Sequence, residues 1–280
     1  MSEDPSMRWS FVDPEVADRI DRLELSFGKD GYDHYGVAKD ELKVFLTVLK
    51  QFYRNYFKVR SVRIQEVPER GRALLVGNHS GGLPVDAGMV LSSLILDHEP
   101  PRLAHGMVEK FVQEWPIVST LFQRCGQFAG LPENAVRLLE DERILMVFPE
   151  GARGTGKLYR DRYRLVRFGT GFMRLALQTH APIVPFAFVG GEEAIPVIYH
   201  APLLAKLFRA PYVPITPYLL PLPRPVPCEI YFGAPMVFQG TGTESDEVIQ
   251  GYVDQVQKRI TELIDEGLAA RGVSLERPRA

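Results

Sequence analysis

A histidine and an aspartate in a glycine-rich turn are the first residues whose types and spacing suggest chemistry. His79 and Asp86 lie in the segment LLVGNHSGGLPVDAG, between an apolar run and the helical pattern AGMVLSSL. Imidazole exchanges a proton near neutral pH and can therefore act as a general base. If Asp86 accepts a hydrogen bond from one ring nitrogen, the other nitrogen can deprotonate a hydroxyl group that the substrate supplies. The alternatives are a structural turn histidine and an aspartate that caps the next helix.

A second candidate site follows the apolar run RILMVF. The sequence PEGARGTGK contains Glu150, Gly151, Arg153 and Lys157. Its last seven residues fit G-x-x-x-x-G-K, the pattern of a phosphate-binding loop that follows a strand. However, Leu158 stands where such a loop has Ser or Thr to bind magnesium, and LYRDRYRLVRF is not typical of the helix that would follow. A nucleotide-binding protein is therefore kept only as an alternative.

Positive charge is concentrated between residues 150 and 180. This segment has seven basic and two acidic side chains in a chain whose formal net charge is −2. The basic residues are Arg153, Lys157, Arg160, Arg162, Arg164, Arg167 and Arg174. Arginine binds phosphate in a bidentate manner and basic clusters attract anionic lipids. The segment predicts a phosphate-bearing ligand, an anionic membrane or an acidic carrier protein, with a solvated surface loop as the alternative.

The apolar pattern predicts the elements that position these groups. Short apolar runs predict strands at residues 73–76, 102–104, 144–148, 183–189 and 229–232. Helical spacing predicts helices at residues 13–58, 87–96, 118–125, 134–140, 171–178 and 246–268. Alternation of the two indicates an α/β fold with a central mixed sheet flanked by helices, an N-terminal helical segment and a C-terminal amphipathic helix.

Two segments have more than one interpretation. From Glu41 to Lys58 an apolar, aromatic stripe has basic residues at other positions, which fits either packing on its own domain or a basic helix on a membrane surface. Residues 196–227 contain nine prolines among mostly apolar residues. Because proline lacks an amide donor, this segment predicts a long irregular excursion, which is either a lid over an apolar groove or a binding surface.

Composition excludes several classes of function. The chain has 280 residues, 45% of them hydrophobic, and a pI near 6.3, which argues against a general nucleic-acid-binding surface. Its two cysteines are far apart in sequence, and its histidines show no ligand spacing, so we expect neither a disulfide scaffold nor a metal. We expect no transmembrane segment and no signal peptide, because no run of 18 apolar residues occurs and the start is acidic.

In this order the motifs resemble the glycerolipid acyltransferase family, whose members acylate glycerol phosphate, lysophosphatidic acid and related acylglycerols. The resemblance runs from about Val62 to Phe238 and rests on NHSGGLPVD, GQFAGLPENAVRLLEDERILMVFPEG and APIVPFAFVG. Within that family, the chain looks most similar to the soluble bacterial branch, near the monoacylglycerol and diacylglycerol acyltransferase-like members. The His/Asp block of the family has four intervening residues, whereas six separate His79 from Asp86 here.

The resemblance implies an O-acyltransferase that needs no cofactor and forms no acyl-enzyme. His79 would be the base and Asp86 its orienting partner, while Glu150, Gly151 and Arg153 would belong to the acceptor site. The implied partners are acyl-CoA or an acyl carrier protein as donor, a lipid or lysolipid acceptor and an anionic membrane surface, and no nucleic acid. The implied location is cytoplasmic, peripheral at the inner face of the membrane.

Further basic residues and the domain boundaries complete these expectations. Arg124, Lys157 and Arg160 are candidate contacts for a phosphate or a membrane, because the second family block lacks its usual basic residue here. The expected organisation is one compact domain, with a helical segment at residues 1–60, an α/β core at 61–240 and a C-terminal helix and tail at 241–280. The alternative from another class is a non-catalytic lipid-binding protein of the same fold.

Overall fold

The computed structural model describes residues 11–108, 116–208, 212–219 and 222–273, which form a mixed α/β structure. The strands of the main sheet are β1 (Arg60–Val62), β2 (Ala73–Gly77), β3 (Ala104–Val108), β4 (Phe128–Ala129), β5 (Ile144–Val147), β6 (Ile183–Val189) and β9 (Glu229–Phe232). A separate pair consists of β7 (Tyr199–His200) and β8 (Pro214–Ile215). The central mixed sheet that the sequence predicts is confirmed.

The described helices flank this sheet. They are α1 (Pro14–Asp21), α2 (Lys39–Lys50), α3 (Val85–Leu96), α4 (Pro116–Arg124), α5 (Pro132–Glu140), α6 (Ala152–Thr155), α7 (Gly171–Thr179), α8 (Gly191–Ala194), α9 (Pro202–Phe208) and α10 (Asp246–Ala270). In the described ranges, none of them combines the length and the apolar content that crossing a bilayer requires.

The sheet has the strand order β1-β9-β6-β2-β5-β3-β4. All neighbouring strands are parallel except β6 and β9, which are antiparallel. β2 and β6 are buried along their whole length, which is why both are continuous apolar runs. Because β2, β5 and β6 are parallel neighbours, their carboxyl ends and the turns after them lie at one edge of the sheet.

The helices form two layers. From β2 the chain crosses through α3 to β3, and from β5 it crosses through α7 to β6, in the opposite direction along the sheet. Right-handed crossovers of opposite direction place their helices on opposite faces. α10 packs against β6, β9 and α7, whereas α1 and α2 pack against α3. The central sheet is thereby covered on both faces.

The N-terminal prediction of one helical segment is wrong between α1 and α2. Residues 22–38 are turns and extended chain, and Gly31 and Gly36 adopt left-handed backbone angles that end helical geometry. The apolar stripe of α2 packs on its own domain, since Leu42 and Leu46 are buried. Its cation Lys43 pairs with Asp21 at 2.8 Å. α2 continues into a π-helical turn at Gln51–Tyr56, in which Arg54 pairs with Asp97.

Other boundaries also differ from the prediction. The strand predicted at 102–104 starts only at Ala104 and continues to Val108, because its neighbour β5 begins at Ile144, which pairs with Ala104. The proline-rich segment is more regular than predicted, since it contains the β7–β8 pair and α9. The predicted helix at 246–268 is confirmed as α10.

Candidate active site

Three turns at the carboxyl ends of β2, β5 and β6 meet at one place. Asn78, directly after β2, donates to the carbonyl of Phe188 at 3.0 Å and accepts from its amide at 2.8 Å, which fixes the first turn to β6. A methyl group at Gly81 would lie 2.7 Å from the carbonyl oxygen of Gly191, in the turn after β6. Glycine is therefore required where the first and third turns touch.

His79 and Asp86 are in direct contact. His79 Nδ1 lies 2.7 Å from Asp86 Oδ2. The backbone amide of Ser80 donates to the same oxygen at 2.8 Å, and the amide of Ala87 donates to Oδ1. The Asp86 side chain is fully buried, whereas 15% of the His79 side chain is exposed. A carboxylate in this position keeps the proton on Nδ1, so that Nε2 is the nitrogen that can take a proton.

The longer spacing between these residues is absorbed by a glycine turn. Gly81 and Gly82 have φ angles of +83° and +69°, which only glycine adopts readily in succession. The amide of Gly82 donates to the carbonyl of Thr155 at 3.0 Å, so the turn is tied to α6. The helix α3 starts after Pro84, so Asp86 is its second residue and not its N-cap.

Glu150 holds the backbone of His79. Its Oε1 accepts from the amide of His79 at 2.9 Å, and its Oε2 accepts from the amide of Val166 at 2.8 Å. Lys157 Nζ lies 3.2 Å from Oε2, and both side chains are buried, with that of Lys157 only 5% exposed. The carboxylate therefore has three partners that fix the turn after β2 to the turn after β5.

Packing fixes the imidazole ring as well. Phe148, at the end of β5, stacks on His79 with ring centroids 4.2 Å apart and an interplanar angle of 17°. The helix α6 also approaches this histidine closely, since a methyl group at Gly154 would lie 2.9 Å from His79 Cβ. The ring is thus held by the aromatic face, by Asp86 and by the close approach of α6.

A second carboxylate borders the Lys157 ammonium. Glu192 Oε1 lies 3.9 Å from Lys157 Nζ and accepts from the amide of Tyr163 at 3.3 Å. Burial raises the pKa of Glu192 to about 7, an effect that the positive charge of Lys157 opposes. Sequence reasoning missed Glu192 and Asn78. The available signal was their position after buried strands whose carboxyl ends share one edge, since Asn78 follows β2 directly and Glu192 is the third residue after β6.

The remaining predicted site residues lie in different environments. Gly151 precedes α6 at a φ of +58°, and Arg153 is exposed, with its guanidinium near the carbonyl of Arg167 at 3.3 Å. Arg160 is exposed and pairs with Asp161. Arg124 ends α4 and pairs with Glu41 on α2.

Two predictions about these residues need correction. Lys157 does not contact a membrane surface, because it is buried against Glu150 and Glu192. Glu150 is not an accessible wall of an acceptor site, because its buried carboxylate is occupied by protein donors. The phosphate-binding-loop alternative is also wrong, since the ammonium of Lys157 faces carboxylates and the short α6 lies inside the motif rather than after it.

A separate cavity of about 490 Å³ lies near the amino ends of β3 and β5, the edge of the sheet opposite His79. Paired charges line it, including Arg102, Glu142 and Asp141. Its position separates it from the three turns.

Among the described residues, no group of three or more His, Cys, Asp or Glu side chains is placed to hold a metal ion. The expectation of no metal and no cofactor stays a prediction.

Known proteins are similar to this chain in sequence. A family model described as acyltransferase matches residues 58–189. An uncharacterized protein of Mycobacterium tuberculosis is 37% identical over 261 residues, which are 89% of this chain and 71% of that protein. The 1-acyl-sn-glycerol-3-phosphate acyltransferase of Limnanthes alba is 32% identical over 162 residues, covering 54% of this chain and 50% of the plant enzyme.

A solved structure has the same fold. The crystal structure of the 1-acyl-sn-glycerophosphate acyltransferase of Thermotoga maritima matches with a TM-score of 0.52 and 18% identity, over 79% of this chain and 78% of that one. The matched family segment begins just before β1 and ends with β6, so it contains the turns after β2 and β5, with His79, Asp86 and Glu150. The chain therefore belongs to the glycerolipid acyltransferase family.

Proposed function

We propose that this acyltransferase transfers a fatty acyl group from an acyl thioester to a hydroxyl group of a glycerol phosphate, a lysophospholipid or an acylglycerol. The observation that carries the proposal is the 2.7 Å contact between His79 and a buried Asp86, beside a turn that Glu150 holds. The donor is acyl-CoA or an acyl carrier protein. The reaction needs no cofactor beyond these substrates.

The proposed reaction is a direct attack without an acyl-enzyme. His79 Nε2 takes the proton of the acceptor hydroxyl while its oxygen attacks the thioester carbonyl carbon. The carbon–sulfur bond then breaks, and the imidazolium returns the proton to the departing thiolate. Asp86 keeps Nδ1 protonated and stabilises the positive charge that develops on the ring. The products are the ester and a free thiol.

Arg153 is the proposed contact for an acceptor phosphate. It is exposed and lies two residues after Gly151, in the helix that approaches His79. An Arg153→Ala variant should raise KM for lysophosphatidic acid while leaving KM for monoacylglycerol unchanged. An equal change with both acceptors would remove Arg153 from phosphate recognition.

We further propose that the enzyme works as a peripheral protein on an anionic membrane, at the cytoplasmic face. Exposed arginines near the site support this, among them Arg153 and Arg160. A basic residue close to an anionic bilayer contributes about 1 kcal/mol, so binding to anionic vesicles should weaken as salt is added. Binding that does not change with salt would argue against a role for these charges.

The first test of the function is thiol release from acyl-CoAs of different chain lengths by the purified chain. Lysophosphatidic acid, glycerol phosphate, monoacylglycerol, diacylglycerol and no acceptor are compared. We expect acceptor-dependent release that His79→Ala lowers by about 10²- to 10⁴-fold, the usual contribution of a general base. His34→Ala is the matched control, because His34 is exposed at the opposite edge of the sheet, and it should keep full activity.

Two outcomes would contradict the mechanism. If His79→Ala keeps most of the activity, His79 is not the base. If the parent chain releases no thiol with acyl-CoA or with acyl carrier protein, the chain is a lipid-binding protein that has the fold without the reaction.

A further inference from the structure

The proline-rich segment exposes an unusual amount of apolar surface. Among the sixteen large apolar side chains that the described residues expose, seven lie between residues 198 and 222. These are Ile198, Tyr199, Leu203, Leu204, Tyr218, Leu219 and Leu222. Leu203 is 83% exposed and Leu219 is 73% exposed. Concentrated exposure of this kind is typical of a surface that binds a partner or a membrane.

This surface rests on ordered structure. The amide of Ile198 donates to the carbonyl of Ile215 at 2.9 Å, and that of Ala201 donates to Val213 at 3.0 Å. His200 Nε2 lies 2.8 Å from the carbonyl oxygen of Gly156. The segment is therefore fixed to the body of the protein while Leu203, Leu219 and Leu222 are exposed to solvent.

The charge of this region fits an anionic surface. Residues 194–228 contain no Asp or Glu, although the chain has 35 acidic residues, and they include Lys206 and Arg224. The adjoining segment is tied on by the amide of Tyr159, which donates to Val197 at 2.7 Å. It presents Arg160, whose side chain is 79% exposed. Apolar side chains with cations at the margin match a leaflet that has anionic headgroups.

The same segment packs on the turn that contains His79. The hydroxyl of Tyr212 donates to the carbonyl of Gly82 at 3.3 Å. A methyl group at Gly82 would lie 2.9 Å from Val197 and 3.3 Å from Pro214. The segment that carries the apolar surface thus contacts the glycine turn between His79 and Asp86.

We propose that the exposed apolar side chains of residues 198–204, 218, 219 and 222 form the membrane-binding surface of this protein. The leucines insert into an anionic leaflet, the flanking arginines and lysine contact headgroups, and the acceptor reaches His79 from the bilayer. This surface rests on the proposed peripheral membrane association, but not on the proposed acyl-transfer reaction. The two are therefore measured separately, and vesicle binding is tested without acyl donor.

An environment-sensitive probe tests insertion directly. Leu203→Cys and Val237→Cys variants of the full chain are labelled with a nitrobenzoxadiazole dye, since the native Cys125 and Cys228 are buried. Val237 is 69% exposed. It follows Met236, which forms a β-bridge with Ile183 at the start of β6, at the edge of the sheet opposite His79. Vesicles of equal parts phosphatidylcholine and phosphatidylglycerol should raise the fluorescence at position 203 and leave position 237 unchanged. No change at 203, or equal change at both, overturns the proposal.

Vesicle sedimentation tests the energetic contribution. Leu203→Glu should weaken binding to the same vesicles by about tenfold or more, because one leucine side chain no longer enters the apolar phase. Val237→Glu adds the same charge elsewhere and should bind like the parent. Equal binding of all three proteins overturns the proposal. Light scattering is measured on the same proteins. A dimer that Leu203→Glu dissociates would also overturn the proposal, because the surface would then join two copies of the chain.

The outcomes separate this inference from the proposed function. If vesicle binding depends on Leu203 but no thiol is released with any acceptor, the membrane surface stands and the reaction is wrong. If turnover is normal and Leu203→Glu binds vesicles like the parent, the reaction stands and the surface is wrong.

Discussion

Lys157 is a positioning residue whose contribution can be measured. Its ammonium neutralises Glu150, which in turn fixes the backbone of His79. Lys157→Met leaves a buried carboxylate without its counter-charge, which typically costs about 3–5 kcal/mol. We expect a loss of this order in the free energy of unfolding, measured with urea, and a fall in kcat that is larger than any rise in KM. Lys258→Met, at an exposed position of α10, is the control and should be neutral.

The double variant Glu150→Gln with Lys157→Met distinguishes positioning from simple packing. Glutamine can accept the hydrogen bond of the His79 amide through its amide oxygen and carries no buried charge. The double variant should therefore recover stability relative to Lys157→Met, together with part of its kcat. If the two substitutions are additive in both quantities, the pair does not act as a unit.

The short helix α6 has to approach His79 closely, which makes one glycine critical. A methyl group at Gly154 would lie 2.7 Å from Glu150 Cβ and 2.9 Å from His79 Cβ, and neither atom can move without its backbone. Gly154→Ala should cost about 1–3 kcal/mol of stability, as overpacking does, and should lower kcat.

The matched control is Gly251→Ala in α10, where no atom lies within 4 Å of the added methyl group. This change should stabilise the protein by about 0.5–1 kcal/mol, because alanine is the better helix former. Thermal unfolding of the three proteins measures both effects. Equal effects of the two substitutions would mean that α6 can shift away from the site.

The elements that the sequence predicted best are those whose pattern is local. The strands at 183–189 and 229–232 are confirmed at both ends, because continuous apolar runs bounded by Gly or Pro suffice to define them. β1 and β4 were missed because each is short and lies at an edge of the sheet, where pairing with a distant strand decides the structure. Likewise, β7 and β8 exist only through their mutual pairing.

The candidate site was predictable only where a motif marked it. The contact between His79 and Asp86 follows from residue types in one turn, and the structure places them together. The roles of Lys157 and Glu192 depend on which turns meet at the edge of the sheet, and spacing along the chain does not contain that information. For this reason the sequence predicts a phosphate or membrane contact for Lys157, although its charge is compensated inside the protein.

Across the whole molecule, the residues of the candidate site and the stabilising ion pairs lie at opposite ends of the strands. The carboxyl ends of β2, β5 and β6 carry the three turns of the site, whereas ion pairs such as Arg72 with Glu142 lie at the amino ends. The exposed apolar side chains between residues 198 and 222 lie on a segment that contacts Gly82 in the turn of the site, so lipid binding and reaction are expected on the same side. Val237, at the other edge, is therefore a control that shares the fold but not the surface.

Glu192 should make the stability of the whole fold depend on pH. Burial raises its pKa in the folded protein to about 7 from an ordinary value of 4.5. Below about pH 4.5 both states hold the proton, and the contribution to stability is complete. As pH rises toward 7 the unfolded state releases its proton first, so this contribution is lost, and above 7 no further change follows.

Glu192→Gln removes the titrating proton and keeps the shape of the side chain. The free energy of unfolding, measured with urea at intervals from pH 5 to pH 8, should fall less steeply in the variant than in the parent. The difference between the two proteins should grow by on the order of 1–3 kcal/mol across that range. Parallel curves would mean that the neighbouring Lys157 keeps Glu192 ionised throughout, and that the site holds two carboxylates around one ammonium.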